Sequence, residues 1–185
     1  MSDYRRCYIP GGSYFFTVVT EKRMPVFVND TARDCLRAAF RYCLQTYPFQ
    51  INAMVMLPDH IHAIWTLPID DYDYSKRWGI IKKYFTQSWL ALGGHEQQVS
   101  ASKRNYRRRG VWQRRFWEHT LRNQEDYNHH FDYIHYNPIK HGIVKNLLDY
   151  PYSTFHRWLK QGIYPENWGM KYDPYFEFIT LKNLE

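Results

Sequence analysis

A chain of 185 residues is long enough for one core of ordinary size and too short for a second full domain. A mean hydropathy of −0.66 and the lack of any apolar run near about 18 residues exclude a membrane-spanning helix, an N-terminus without an apolar stretch does not read as a secretory leader, and three scattered cysteines form no disulfide framework, so a reducing cytoplasm is expected. A formal net charge of +7 beside 19% aromatic residues joins phosphate-binding charge to rings on which bare bases stack, which favours single-stranded or structured nucleic acid as partner.

In chain order, SYFFTVVT at 13–20 is aromatic and β-branched after a Gly-Gly turn and predicts a strand. Asn29 and Asp30 then offer an N-cap to a helical pattern of Ala32, Leu36, Ala39, Phe40, Cys43 and Leu44 that ends near Pro48. QINAMVML at 50–57 and HIHAIWTL at 60–67, separated by Pro58-Asp59, predict a hairpin. Trp78, Ile81, Phe85, Trp89 and Leu92 recur at helical spacing and predict a helix over 75–92. From 93 to 110 periodicity is lost and charge rises, ending in Arg107-Arg108-Arg109, so a mobile basic loop is expected. VWQRRFWEHTL at 111–121 predicts a fourth strand, and 123–137 a third helix that Pro138 should end. The order β α β β α β α gives an α+β protein, a sheet with helices on one face, ferredoxin-like in type.

Residues i and i+2 of a strand share a face, so His60 and His62 project together while Ile61, Ala63 and Trp65 face the other way. Two neutral imidazoles on one face can share a divalent cation, but the pair needs a third ligand. Asn137, one helical turn after Tyr133, lies on the same face of the third helix and can supply it. Tyr127 and Tyr136 have Phe131 and Lys140 at that offset, neither of them a ligand for a hard cation, so Tyr133 is the candidate nucleophile. Phe131, Ile134 and Tyr127 are expected to pack on the sheet, with Tyr133, Asn137 and His129 or His130 along an adjacent edge.

The strings YRRCYIPGGSYFFTV, MLPDHIHAIWTLP and RFWEHTLRNQEDYNHHFDYIHYNPIKHG together resemble the REP-associated tyrosine transposases, a branch of the single-tyrosine HUH transposases, over nearly the whole chain. The resemblance implies the HUH endonuclease fold, a ferredoxin-like (RRM-like) antiparallel sheet carrying His60 and His62 on a central strand that faces the helix of Tyr133, with Asn137 at the position of the third metal ligand. Residues 1–145 would form this domain, and 146–185 an extension packed on or near the DNA-binding surface.

The chemistry follows from the charges. A phenol is mostly un-ionised at neutral pH and a phosphodiester repels nucleophiles; Mg²⁺ or Mn²⁺ held by neutral ligands keeps its positive charge for both problems. Attack by Tyr133 would leave a 5′-phosphotyrosine and a free 3′-hydroxyl, a step another 3′-hydroxyl can reverse, so cleavage and joining need one site and no nucleotide cofactor. The expected partners are single-stranded DNA and DNA hairpins, met in the bacterial cytoplasm by a monomer or homodimer. Arg5, Arg6, Lys82, Lys83, Arg114 and Arg115 are candidate phosphate contacts and Trp117 a candidate stacking partner. The rival reading is a non-catalytic hairpin-binding protein derived from a transposase.

Overall fold

The computed structural model describes residues 7–105 and 109–169. Strand β1 (Ser13–Val19) leads into helix α1 (Asp30–Thr46), and β2 (Gln50–Met56) and β3 (His60–Thr66) follow as the expected hairpin. Then come α2 (Tyr74–Ala91), a short α3 (Ala101–Asn105), β4 (Trp117–Thr120), α4 (Gln124–Lys140) and α5 (Phe155–Lys160). The strands form one antiparallel sheet in the order β2-β3-β1-β4, an α+β fold.

Local chemistry accounts for the boundaries. The Asn29 side chain accepts the Ala32 N–H at the start of α1, and Asp73 does the same for Lys76 at the start of α2, one residue earlier than the apolar pattern starts. The Pro58-Asp59 turn is closed by the Leu57 N–H donating to the His60 carbonyl at 2.8 Å. The expected strand over 111–121 is shorter. Val111 to Gln113 pair with the chain beyond β1, but Arg114 and Arg115 turn out to solvent before β4 rejoins β1 at Trp117.

Two apolar layers flank the sheet. On one face Phe16, Ile61, Ala63 and Trp65 meet α1 and α2 through Phe40, Trp78, Ile81 and Phe85. The Trp65 and Trp78 rings stack with centroids 4.2 Å apart and neither is exposed. Trp65→Ala should therefore cost about 3–5 kcal/mol of unfolding free energy, read from the urea midpoint, because the cavity is walled by rigid rings. Leu92 falls outside this core, just past the end of α2 and exposed.

The other face is covered as well, contrary to the expectation of helices on one face. Phe15, Val55 and Ile64 meet α4 through Tyr133 and Ile134, and residues 146–169 pack behind α4 through Tyr150, Phe155 and Tyr164. This also corrects the reading of α4's stripes. Phe131 faces Trp158 and Tyr164 of the following segment, whereas Tyr133 stands against Phe15 and His62 of the sheet. A helix buried on two sides has no free edge for either stripe.

The expected loop over 93–110 contains α3 and is drawn together at its neck, where the Gln97 N–H donates to the Gly110 carbonyl at 2.8 Å. A Cβ at Gly110 would overlap the Gln97 carbonyl, which explains glycine there. Helix α4 passes through Pro138 to Lys140 rather than stopping at Asn137. Proline removes only the N–H that would serve Ile134, and the turn still closes through His141 N–H to the Asn137 carbonyl at 2.9 Å. No described helix is long and apolar enough to cross a membrane.

Candidate active site on the sheet

The alternation of β3 turns His60 and His62 toward α4, their rings 4.8 Å apart between centroids. Each has its Nδ1 engaged. That of His60 lies 2.5 Å from the Asp59 carboxylate, and that of His62 lies 2.9 Å from Thr17 Oγ1 on neighbouring β1. His62 is fully buried and its Nε2 has no hydrogen-bond partner among the described residues. Burial lowers the pKa of His60 even though the Asp59 carboxylate works the other way, and burial pushes His62 well below the usual range. Both rings are therefore neutral at pH 7, the form that coordinates metal.

Asp59 remains a carboxylate. Burial favours its protonation, but the hydrogen bond from His60 and the Arg23 guanidinium at 3.3 Å outweigh this and lower its pKa. A carboxylate behind one imidazole and a hydroxyl behind the other fix which nitrogen of each ring faces inward.

Helix α4 brings Tyr133 against this pair and carries Asn137 one turn further on. The Tyr133 ring lies 5.2 Å from that of His62 and is 1% exposed. Asn137 donates through Nδ2 to the Tyr133 carbonyl at 2.8 Å, leaving its Oδ1 buried and without a hydrogen-bond partner among the described residues. Two such acceptors, His62 Nε2 and Asn137 Oδ1, fit a cation better than they fit a dry core, where each uncompensated polar atom costs about 1–3 kcal/mol. Tyr127 and Tyr136 point elsewhere, toward Asn52 and Trp168 respectively.

Four side chains of this neighbourhood are missing from the sequence-derived set: Thr17, Asp59, Lys140 and His141. Lys140 Nζ lies 3.4 Å from Tyr133 Oη and 4.8 Å from its ring centroid, and His141 lies 5.4 Å from His60. Both belong to the turn that continues past Pro138. Asp59 had a sequence signal, a carboxylate directly before the histidine pair; Thr17 had none, because only strand pairing sets it opposite His62.

The candidate DNA contacts are not brought together. Trp117 lies on the histidine face, its exposed ring 5.6 Å from Phe15 and nearly parallel to His119. Arg114 and Arg115 are exposed just before it. Lys82 and Lys83 belong to α2, on the opposite face of the sheet. Lys82 donates to the Gln113 carbonyl at 2.5 Å, while Lys83 is exposed. Arg109 is tied to Glu96 by three hydrogen bonds of 2.6–3.0 Å. Arg5 and Arg6 lie outside the described residues.

A ferredoxin-like sheet that presents a strand histidine pair to a tyrosine on the covering helix defines an α+β class of protein. Residues 10–137 match the sequence model of the family described as Transposase IS200 like, and the chain belongs to that family, in its REP-associated tyrosine branch. It is 47% identical over 169 residues to the REP-associated tyrosine transposase of Escherichia coli strain K12, spanning 91% of this chain and 92% of that one. A Haemophilus influenzae relative, provisionally given the same name, is 44% identical over 169 residues, 91% of this chain and 94% of its own. A solved structure of a REP-associated tyrosine transposase bound to a REP hairpin matches with a TM-score of 0.76 and 46% identity, covering 94% of this chain and 93% of that chain.

Proposed function

We propose that this chain is a metal-dependent single-stranded DNA endonuclease and strand transferase acting at hairpin-forming REP-type repeats, with Tyr133 as nucleophile. The observation that carries the reading is the packing of the Tyr133 ring against His62, whose Nε2 has no hydrogen-bond partner among the described residues; Asn137 Oδ1, one turn further along α4, has none among them either. The hairpin as substrate is supported by the related structure solved with a REP hairpin.

His60, His62 and Asn137 are the residues that would hold Mg²⁺ or Mn²⁺, which supplies positive charge against the scissile phosphate without being offset by anionic ligands. Tyr133 Oη forms the new bond to phosphorus, the bond from phosphorus to the 3′-oxygen breaks, and the phenolic proton ends on that 3′-hydroxyl; the reverse step joins an incoming 3′-hydroxyl. Lys140 stands beside Oη, where its charge favours the phenolate character that develops during attack. Trp117 offers a stacking surface on the histidine face, and the exposed Arg114 and Arg115 just before it offer cationic contacts. Cleavage in the bacterial cytoplasm follows as the setting.

Incubating the protein with Mn²⁺ and single-stranded oligonucleotides carrying a hairpin should give a protein band retarded under denaturing conditions. Hairpin binding with no such band at any metal concentration would instead support the non-catalytic hairpin binder. The hydrogen bonds behind the histidines give a finer test. Thr17→Val leaves the His62 Nδ1–H without its acceptor and should weaken Mn²⁺ binding about 10–100-fold in calorimetric titration, with little change in secondary structure. Unchanged affinity would remove Thr17 from the ligand-orienting set.

A further inference from the structure

A second group of ligand-type side chains stands where β4 meets the first turns of α4. His119 belongs to the strand, and Asp126 and His130, four residues apart, share a face of the helix. A nitrogen of His119, a carboxylate oxygen of Asp126 and a nitrogen of His130 all lie within 4.8 Å of one another. His119 Nε2 is 2.8 and 3.0 Å from the two Asp126 oxygens, and His130 Nδ1 is 3.1 Å from the same carboxylate. The His119 and His130 rings are nearly parallel, 4.8 Å apart.

His130 is the informative member. Its Nδ1 donates to the Asp126 backbone carbonyl at 2.8 Å, which assigns the lone pair to Nε2. That nitrogen is buried and has no hydrogen-bond partner among the described residues, on a residue that is 6% exposed. An imidazole anchored through one nitrogen to a backbone carbonyl, with the other left unfilled, is the usual arrangement of a metal-binding histidine. Burial lowers the pKa of His130, so the ring is neutral at pH 7; Asp126 is held ionised, its burial outweighed by the His119 hydrogen bond and the Arg122 N–H. The Phe15 ring separates this group from the site above, 4.8 Å from His130 and 5.4 Å from His62.

We propose that His119, Asp126 and His130 bind a divalent cation of the zinc type, forming a second metal site that clamps edge strand β4 to the amino-terminal turns of the helix carrying Tyr133. Two imidazole nitrogens and one carboxylate oxygen are a zinc donor set, whereas Mg²⁺ prefers oxygen ligands. The side chains of His119 and Asp126 are 20% and 22% exposed, so both can turn toward His130 Nε2 to close on the ion, and water can fill the fourth position. Binding displaces the proton that His119 now shares with Asp126. The inference does not depend on Tyr133 being a nucleophile.

The test uses the full chain stripped with a chelator and titrated with Co²⁺ and Zn²⁺ alone. In a His60→Ala/His62→Ala background the proposal expects one equivalent bound, visible as the absorption bands of tetrahedral Co²⁺ and displaced by Zn²⁺. Adding His119→Gln, which can still donate to Asp126, should weaken binding by at least about tenfold. Absence of saturable binding in the folded background variant, or binding indifferent to His119→Gln, overturns it. Should the double variant misfold, the otherwise unmodified chain decides: two Zn²⁺ equivalents falling to one in His119→Gln support the site, and one equivalent unaffected by that change rejects it.

Discussion

Tyr133→Phe should abolish covalent adduct formation and lower cleavage of a single-stranded hairpin substrate by at least about a thousandfold, while hairpin affinity stays within about twofold. Only the hydroxyl is lost. The ring keeps its contacts with His62 and Phe15, at 5.2 and 5.9 Å, and the forfeited Lys140 contact of 3.4 Å contributes under about 1 kcal/mol to stability. The size of the effect comes from chemistry with no substitute, because phenylalanine carries no atom that can bond to phosphorus. Tyr127→Phe and Tyr136→Phe are the matched controls and should retain the adduct, since one hydroxyl meets Asn52 and the other ring lies against Trp168. A denaturing gel reads all three. An adduct surviving in Tyr133→Phe, or lost in either control, would show that the nucleophile has been misassigned.

A large loss of stability is expected on mild acidification, centred on His135. This residue is unexposed on α4, with Nδ1 3.0 Å from Tyr164 Oη and Nε2 2.9 Å from Thr154 Oγ1. Tyr164 gives its own proton to Asp132 at 2.6 Å, so His135 donates to it and uses Nε2 as an acceptor. Burial, helped by the charge of Arg157, pushes its pKa from 6.5 to about 3.

Because the folded pKa is the lower one, the unfolded chain takes up a proton first, and the stabilisation present above pH 6.5 drains away as the pH falls toward the folded value. Between about pH 7.5 and about pH 5 this one residue should cost about 2 kcal/mol, seen as a falling urea midpoint in chelator-containing buffer. His60, His62 and His130, all lowered by burial, act in the same direction. His135→Gln offers a donor and an acceptor without a titration and should flatten the profile by about 2 kcal/mol; an unchanged profile would refute the assignment.

The sequence by itself determined the elements whose signal is periodic and which of the candidate site residues share a face. The alternation of HIHAIWT fixed that both histidines share a face, and the 3.6-residue turn fixed that Tyr133 and Asn137 do too; neither statement needs a partner element. Asn29 announced α1 because a cap is local chemistry.

What only the tertiary structure decided depends on two segments meeting. Thr17 reaches His62 through the β1–β3 register, which no local pattern encodes. Phe131 faces residues 146–169 rather than the sheet because a second layer competes for the same apolar stripe. Pro138 forbids one hydrogen bond, and sequence reasoning ends the helix there. Asn137 and Pro138 are both buried and the turn closes through the His141 N–H to the Asn137 carbonyl, and it is this turn that sets Lys140 over Tyr133 and His141 beside His60.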